Sequence, residues 1–152
     1  MYNRDLAIEY AQEWALKRNP KYYNFDALGG DCTNFISQCL FAGYGAMNFT
    51  PITGWYYNNL NSRTAAWTGV EYLYKFIISN NQEGAKGSEI AAQDAQLGDI
   101  IQLGSINDGF YHSLIITGFQ DGIPLICTHT YDSQMRLLST YSYEKIRYLG
   151  LT

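Results

Sequence analysis

The hydrophobic pattern of this chain changes at Gly98, and that change constrains the fold more than any other feature. Before it, apolar residues recur at helical spacing in three segments, over about 5–18, 31–42 and 70–80. After it, β-branched and aromatic residues dominate 98–103, 111–119 and 123–130. Asp121-Gly122, between the last two runs, is typical of a two-residue hairpin turn. Helices followed by an antiparallel sheet predict an α+β fold.

The predicted helices carry recognisable end signals. Asn3 and Asp31 stand where N-caps of the first two helices are expected, and Gly43 is expected to end the second. Thr68 and Glu71 have the spacing of a capping box for the third helix. These signals fix where each helix should begin, and they place Cys32 in the first turn of the second helix.

The remaining segments are less regular. The aromatic-rich stretch 44–67 has no clean period, so we predict a long ordered loop there. The tail 137–151 is expected to add one or two strands around Tyr141 and Tyr148. With 152 residues and 47% hydrophobic composition, the chain is long enough for one core, so we expect a single domain over 1–152.

Charge and composition exclude several classes of function. The net charge of −4, with only 10 Lys and Arg, argues against binding to nucleic acid or to anionic lipid. No apolar run reaches the roughly 18 residues of a membrane span, and no signal peptide is visible. The three cysteines include no CxxC pair, so we expect neither a disulfide framework nor a local zinc knuckle.

The Gly-Gly-Asp-Cys-Thr-Asn-Phe segment, 29–35, predicts a glycine turn that delivers Cys32 to a helix N-terminus. The helix dipole there favours a thiolate and should lower the thiol pKa. Cys32 is therefore a candidate nucleophile, although a small buried hydrophobe is the alternative interpretation. Cys39 and Cys127 have core spacing and are expected to be packing residues.

A nucleophilic cysteine needs a histidine, and the chain has two, His112 and His129. If Asp121 and Gly122 form the hairpin turn without a bulge, Leu114 lies opposite His129, and the two histidines share one face of the sheet. His129 would then be the third group that orients His112. A bulge or strand end near Tyr131 would instead favour Asp132 as that group.

Three segments resemble a known family: residues 29–40, GGDCTNFISQCL; residues 97–102, LGDIIQ; and residues 111–118, YHSLIITG. They are similar to the putative amidase domain family of the papain-like superfamily, which also includes NlpC-type cell-wall peptidases and CHAP amidases. The likeness extends to 19–25 and 55–67. It implies a helix packed on an antiparallel sheet and hydrolysis of amide bonds, commonly in peptidoglycan.

By position, the resemblance implies Cys32 as nucleophile, His112 as base and His129 as third residue. Relatives often place a tyrosine near the oxyanion, and either Tyr22 or Tyr23 matches that position. The backbone N–H of Cys32 is the other expected oxyanion donor. No cofactor is expected, and the acidic calcium-binding run of some CHAP domains is absent, so no metal is predicted.

The expected substrate is peptidoglycan or a peptide, which Trp55, Tyr56 and Trp67 could contact in a groove. Such a protein is expected to act outside the cell or in the wall if an export signal lies elsewhere. Three alternatives stay open: a catalytically idle wall-binding or interaction domain, an acyl transferase or deamidase, and a structural zinc site. The zinc ligands would be Cys32, His112, Cys127 and His129.

Overall fold

The computed structural model describes residues 1–152 and has an α+β fold. Its helices are α1 (Arg4–Trp14), α2 (Cys32–Tyr44), α3 (Ala65–Thr68) and α4 (Val70–Ser79). Its strands are β1 (Tyr57–Asn59), β2 (Ser62–Arg63), β3 (Gly87–Ile90), β4 (Ile100–Ser105), β5 (Gly109–Gln120), β6 (Ile123–Thr128), β7 (Ser133–Leu137) and β8 (Lys145–Leu151). None of the helices combines the length and apolarity that crossing a lipid bilayer requires.

Six of the strands form one antiparallel sheet in the order β3-β8-β4-β5-β6-β7. The central hairpin of β5 and β6 turns at Asp121 and Gly122, both with positive φ, and Gln120 pairs with Ile123. This turn was predicted from the Asp-Gly pair, and the structure confirms it. The helices pack on one face of the sheet, with α1 and α2 in contact with each other and with β5.

The main core lies between these helices and the sheet. Its members include the fully buried Phe35 and Ile36 of α2, Ile115 of β5 and Cys127 of β6. Burying an aliphatic or aromatic side chain of this size contributes about 1.5–3 kcal/mol. A smaller cluster on the other face of the sheet contains Leu114, Ile116 and Ile126. Successive residues of β5 therefore belong to opposite clusters, as the pleat requires.

The end signals of the helices were predicted with mixed success. Asn3 caps α1, since its side chain accepts from the N–H of Leu6 at 3.1 Å. Gly43 was predicted to end α2, but the helix continues to Tyr44 and ends at Gly45, whose φ of 71° suits glycine. The capping box was wrong because Thr68 belongs to α3 and Gly69 precedes α4 without a side-chain cap.

Three parts of the chain differ from the prediction. The segment predicted as one long loop contains the β1–β2 hairpin and α3. Strand β3 lies in a polar stretch that gave no strand signal. In the tail, Tyr148 lies on β8 as expected, but Tyr141 follows a short 3₁₀ helix, Leu138–Thr140, instead of lying on a strand.

Candidate active site

The glycine turn before α2 places Cys32 at the first residue of that helix, as predicted. Gly29 and Gly30 have φ of 87° and 98°, a conformation that residues with a Cβ rarely adopt. The backbone N–H of Cys32 donates to no other backbone group, as expected for the first turn of a helix. This N–H is therefore available to an acceptor that approaches the sulfur.

Only 7% of Cys32 is exposed, and the residue lies near the beginning of β5. Backbone groups of Ser113 and Thr33 hydrogen-bond the sulfur, and the Thr33 hydroxyl lies 3.8 Å from it. Ser113 directly follows His112 in the chain. The two candidate catalytic residues thus come from neighbouring parts of α2 and β5.

Cys32 and His112 line one cavity of about 620 Å³. This volume is within the range of small-molecule sites in proteins. Two exposed tyrosines, Tyr111 and Tyr131, border it. The other lining residues are Gly29, Gly30, Thr130, Arg136 and Tyr141.

The His112 ring is held by packing, since no hydrogen bond joins it to another side chain. The ring lies against Tyr141, with 5.9 Å between the two ring centroids, and only 9% of the residue is exposed. His112 is thus oriented by its strand and by an aromatic neighbour.

Burial changes the protonation of both candidate catalytic groups. It raises the pKa of the Cys32 thiol, so the predicted lowering by the helix terminus is outweighed. Burial, and secondarily the charge of Arg136, lowers the pKa of His112 to about 4. These directions favour a neutral Cys32 thiol and a neutral His112 imidazole at neutral pH.

The low pKa of His112 predicts a loss of stability in acid. Between the unfolded value of 6.5 and the folded value of about 4, the unfolded chain binds a proton that the folded protein excludes. The free energy of unfolding should therefore fall with decreasing pH across this window, by up to about 3 kcal/mol from this residue. Urea denaturation of wild type and of His112→Gln at about pH 7 and about pH 4.5 measures the effect.

In that comparison the wild type should lose more stability on acidification than His112→Gln. Carboxylates that titrate in the same window affect both proteins, so the difference between them reports residue 112. Equal losses in the two proteins would contradict the buried neutral imidazole.

The expected pairing of the two histidines is wrong. A register shift between Ile116 and Gly118 moves the pairing by one residue, so that Ile115 lies opposite Cys127. His129, two residues beyond Cys127, therefore faces the same side as Ser113, and its ring stacks on Phe35 in the main core, 4.0 Å between centroids. His112 precedes Ser113 on β5 and therefore faces the opposite side of the sheet.

Both ring nitrogens of His129 have other partners. Nδ1 lies 2.5 Å from Asp31 Oδ2, and Nε2 lies 2.8 Å from the carbonyl oxygen of Trp14. Both ring nitrogens are thus engaged within the protein. No nitrogen is left to orient His112, and the structure assigns His129 to the support of α1 and α2.

Asp31 stands at the N-cap position of α2, but its side chain makes no cap hydrogen bond. The carboxylate instead accepts from the backbone N–H of Phe25 at 2.8 Å and from the side-chain amide of Asn34 at 2.9 Å. Arg18 Nε lies 3.4 Å away. Together with His129, these contacts make Asp31 the buried centre of the turn that carries Cys32.

Asp132, the other candidate for the third residue, is also engaged elsewhere. Its carboxylate pairs with Arg18 at 2.7 Å, and Asp26 binds the same guanidinium. Thr130 and Tyr131 have φ of 64° and 55° and form the turn between β6 and β7. The contacts of His129 and Asp132 hold both ends of this turn, which borders the cavity.

The aromatic residues proposed for the substrate groove lie elsewhere. Trp55 and Trp67 are fully buried, and their indole N–H groups donate to Ser37 and Asn34. Tyr56 packs against Phe49, outside the cavity. Trp55 and Trp67 belong to the main core, because burying large rings stabilises the fold.

The other expected contributors also lie apart from the cavity. Tyr22 stacks on Trp67, and Tyr23 packs edge-on against Phe25, so neither tyrosine lines it. Cys39 and Cys127 are buried in the main core, as predicted. The four proposed zinc ligands do not form a cluster that could hold a metal ion.

Sequence reasoning missed a buried polar chain behind Cys32. The Thr33 hydroxyl lies 3.0 Å from that of Ser113, which accepts from the Gln102 amide at 3.2 Å. Gln102 accepts in turn from Arg147 at 2.7 Å. The available signal was a glutamine in the middle of the apolar strand β4, which is an unusual position for an amide without a partner.

One comparison with known proteins identifies a family. Residues 1–151 match the model of the family described as "Putative amidase domain". The chain is 38% identical over 148 residues to the uncharacterized protein YhbB of Bacillus subtilis, covering 94% of this chain and 45% of that protein. It is 29% identical over 123 residues to the uncharacterized protein YjcM of the same organism, covering 80% and 25%.

The chain thus spans less than half the length of these curated relatives. No solved structure matches it. The family match nevertheless covers nearly every residue of the chain, including Cys32 and His112 of the cavity. The chain belongs to the putative amidase domain family.

Proposed function

We propose that the protein is a cysteine-dependent amide hydrolase that acts through a thioester. The observation that carries this proposal is that Cys32, at the first turn of α2, and His112, near the beginning of β5, line one cavity. The likeness of residues 29–40 and 111–118 to papain-like NlpC and CHAP enzymes agrees with the same assignment. Peptidoglycan, or a peptide derived from it, is the proposed substrate.

The reaction begins from the neutral pair that burial favours. As the substrate carbonyl binds, His112 accepts the thiol proton and the Cys32 sulfur attacks the carbonyl carbon. The developing oxyanion is stabilised by the backbone N–H of Cys32, which donates to no other backbone group. The carbon–nitrogen bond then breaks as His112 returns its proton to the leaving amine.

Water completes the cycle. His112, neutral again, takes a proton from the water molecule as it attacks the thioester, and the acid product leaves with the Cys32 thiol restored. Because no hydrogen bond orients the His112 ring, the proposed machinery is a Cys–His pair supported by packing against Tyr141.

The proposal predicts release of new fragments from purified peptidoglycan. Mass spectrometry should detect fragments with a newly formed amine and carboxylic acid after incubation with wild type and none above background with Cys32→Ala. The masses identify the bond cleaved. An added amine acceptor distinguishes hydrolysis from acyl transfer, because transfer would join that amine to the acyl fragment.

Fragment profiles that are the same for wild type and Cys32→Ala would overturn wall hydrolysis. Binding of both proteins to peptidoglycan without cleavage would support a wall-binding domain. If the activity is hydrolysis of wall peptides, the protein is expected to work outside the cell or in the wall.

A further inference from the structure

Arg136 is the one permanently charged side chain that lines the Cys32 cavity. No aspartate or glutamate borders this cavity, although the chain has 14 acidic residues and a net charge of −4. In this acidic protein, the cavity that contains the candidate nucleophile is therefore lined by a positive charge without a negative one. Such a charge favours an anionic ligand.

The arginine is held in a fixed orientation. Its guanidinium lies over the Tyr141 ring, 3.8 Å from the centroid. Nε donates to the Thr140 hydroxyl at 2.7 Å and Nη2 to the Thr140 carbonyl at 3.2 Å. Nη1 has no partner, so it and the second N–H of Nη2 are available. These two nitrogens present the parallel N–H pair that binds a carboxylate in a bidentate manner.

Most arginines of this protein already have a carboxylate. Arg4, Arg18 and Arg147 pair with acidic side chains, with nitrogen–oxygen distances of 2.7–2.8 Å for the shortest contacts. Arg63 has none, but it lies over Phe25 and does not line the cavity. Arg136 is therefore the only arginine that both lacks a carboxylate partner and lines the cavity of Cys32.

A neighbouring hydroxyl also lacks a partner. The Tyr141 hydroxyl is buried and hydrogen-bonds to no group of the protein, although Tyr141 lines the cavity. Burying an unpaired hydroxyl is unfavourable. The ring of Tyr141 thus contacts Arg136 at the cavity, and its hydroxyl has no acceptor in the protein.

We propose that Arg136 binds a carboxylate of the substrate, so that the preferred substrates are amides carrying a carboxylate close to the bond that is cleaved. This inference extends the proposed hydrolysis, and it rests on that proposal in so far as the bound carboxylate is taken to belong to a substrate. The carboxylate-binding property itself requires only the geometry of the cavity.

The same contact would assist the reaction. Arg136 contributes to the lowered pKa of His112, and a bound carboxylate would neutralise that contribution. The imidazolium that protonates the leaving amine would then form more readily. A substrate with a carboxylate would therefore improve the acid catalyst as it binds.

Alkylation of Cys32 tests the proposal without a known substrate. Iodoacetate and iodoacetamide deliver the same carbon to the sulfur, but only iodoacetate carries a carboxylate. We expect the ratio of the two rate constants at Cys32 to be higher in the native protein than for the same cysteine in the unfolded chain. In Arg136→Gln the native ratio should fall about tenfold, the loss expected for one charged hydrogen-bonded contact.

A substitution that changes the general reactivity of the Cys32 thiol affects both reagents alike, so it cancels in the ratio of the two rate constants. Arg136→Lys, which retains the charge but not the planar pair of N–H groups, should keep part of the preference. Arg63→Gln removes the other unpaired arginine outside the cavity and should leave the ratio unchanged. Cys39 and Cys127 are fully buried and should react slowly in the native protein. Peptide mapping identifies which cysteine has been modified.

An Arg136→Gln ratio equal to that of wild type, in a protein with an unchanged melting temperature, would overturn the proposal. A reduced ratio without any hydrolysis of peptidoglycan would support the carboxylate site and reject the proposed function. Hydrolysis with an unchanged ratio would do the reverse, so the two failures are distinguishable.

Discussion

Cys32→Ala and His112→Ala are each expected to lower kcat/KM for amide hydrolysis by about a thousandfold or more. In the proposed mechanism Cys32 is the nucleophile and His112 is the base that accepts its proton, so either change removes a group that the reaction needs. Rates on a purified peptidoglycan fragment, with the fraction of folded protein measured by circular dichroism, check this expectation.

The double variant is the sharper measurement. Since the two groups act as one unit, Cys32→Ala with His112→Ala should be within about tenfold of the more damaging single change. Cys39→Ala is the matched control: it removes a fully buried thiol of the same helix that lies outside the cavity. It should lower the free energy of unfolding, because the lost sulfur leaves a small void in the core, but the activity of the folded protein should be nearly unchanged.

Losses that multiply in the double variant would show that the two residues act independently, and full activity of Cys32→Ala would reject thioester chemistry. If Cys39→Ala lost activity to the same degree as Cys32→Ala, the effect of either change would be on the fold.

Asp31→Ala is expected to lower the free energy of unfolding by about 3–5 kcal/mol, the range for breaking a buried charge pair. The carboxylate is fully buried and binds His129 at 2.5 Å, and it accepts from the backbone of Phe25 at 2.8 Å. Its removal leaves His129 Nδ1 and the buried N–H of Phe25 without their hydrogen-bond partner. Urea denaturation of the two proteins measures the difference.

The contribution of the pair itself is given by a double-mutant cycle. Asp31→Ala and His129→Phe should be strongly non-additive, because each change alone leaves a partner unsatisfied. Asp26→Ala is the control, since Asp26 binds the same Arg18 in a far more exposed ion pair. It should cost less than about 1 kcal/mol. A loss for Asp31→Ala as small as that of Asp26→Ala would contradict the structural role given to Asp31.

The fold was largely predictable where a local pattern carried the information. The apolar spacing of α2 and α4, the Asp-Gly turn and the β-branched and aromatic runs of β4 and β5 each specify an element without help from distant residues. Strand β3 could not be predicted in this way, because its polar residues pair only with β8, more than 50 residues later in the chain. Its strand character comes from that partner.

The candidate site, too, was predictable only where adjacent residues determine the structure. The glycine turn and the helix start place Cys32, and both depend on adjacent residues. The face on which His129 lies depends on a bulge that leaves Thr117 out of the pairing, and the β-rich composition of the hairpin does not reveal that bulge. Arg136 and Tyr141 reach the cavity from the last third of the chain, and no spacing rule connects them to Cys32.

The shifted pairing at Thr117 gives the two imidazoles separate tasks. Without this shift, alternation would turn residue 129 toward residue 112, and Asp31 would lose its histidine partner from β6. The shift therefore separates the two rings: His112 faces the cavity, whereas His129 contacts Asp31 and the carbonyl oxygen of Trp14. Deleting Thr117 would leave Ile116 opposite Ile126 and Gly118 opposite Leu125, so it should remove the bulge without bringing the two rings together.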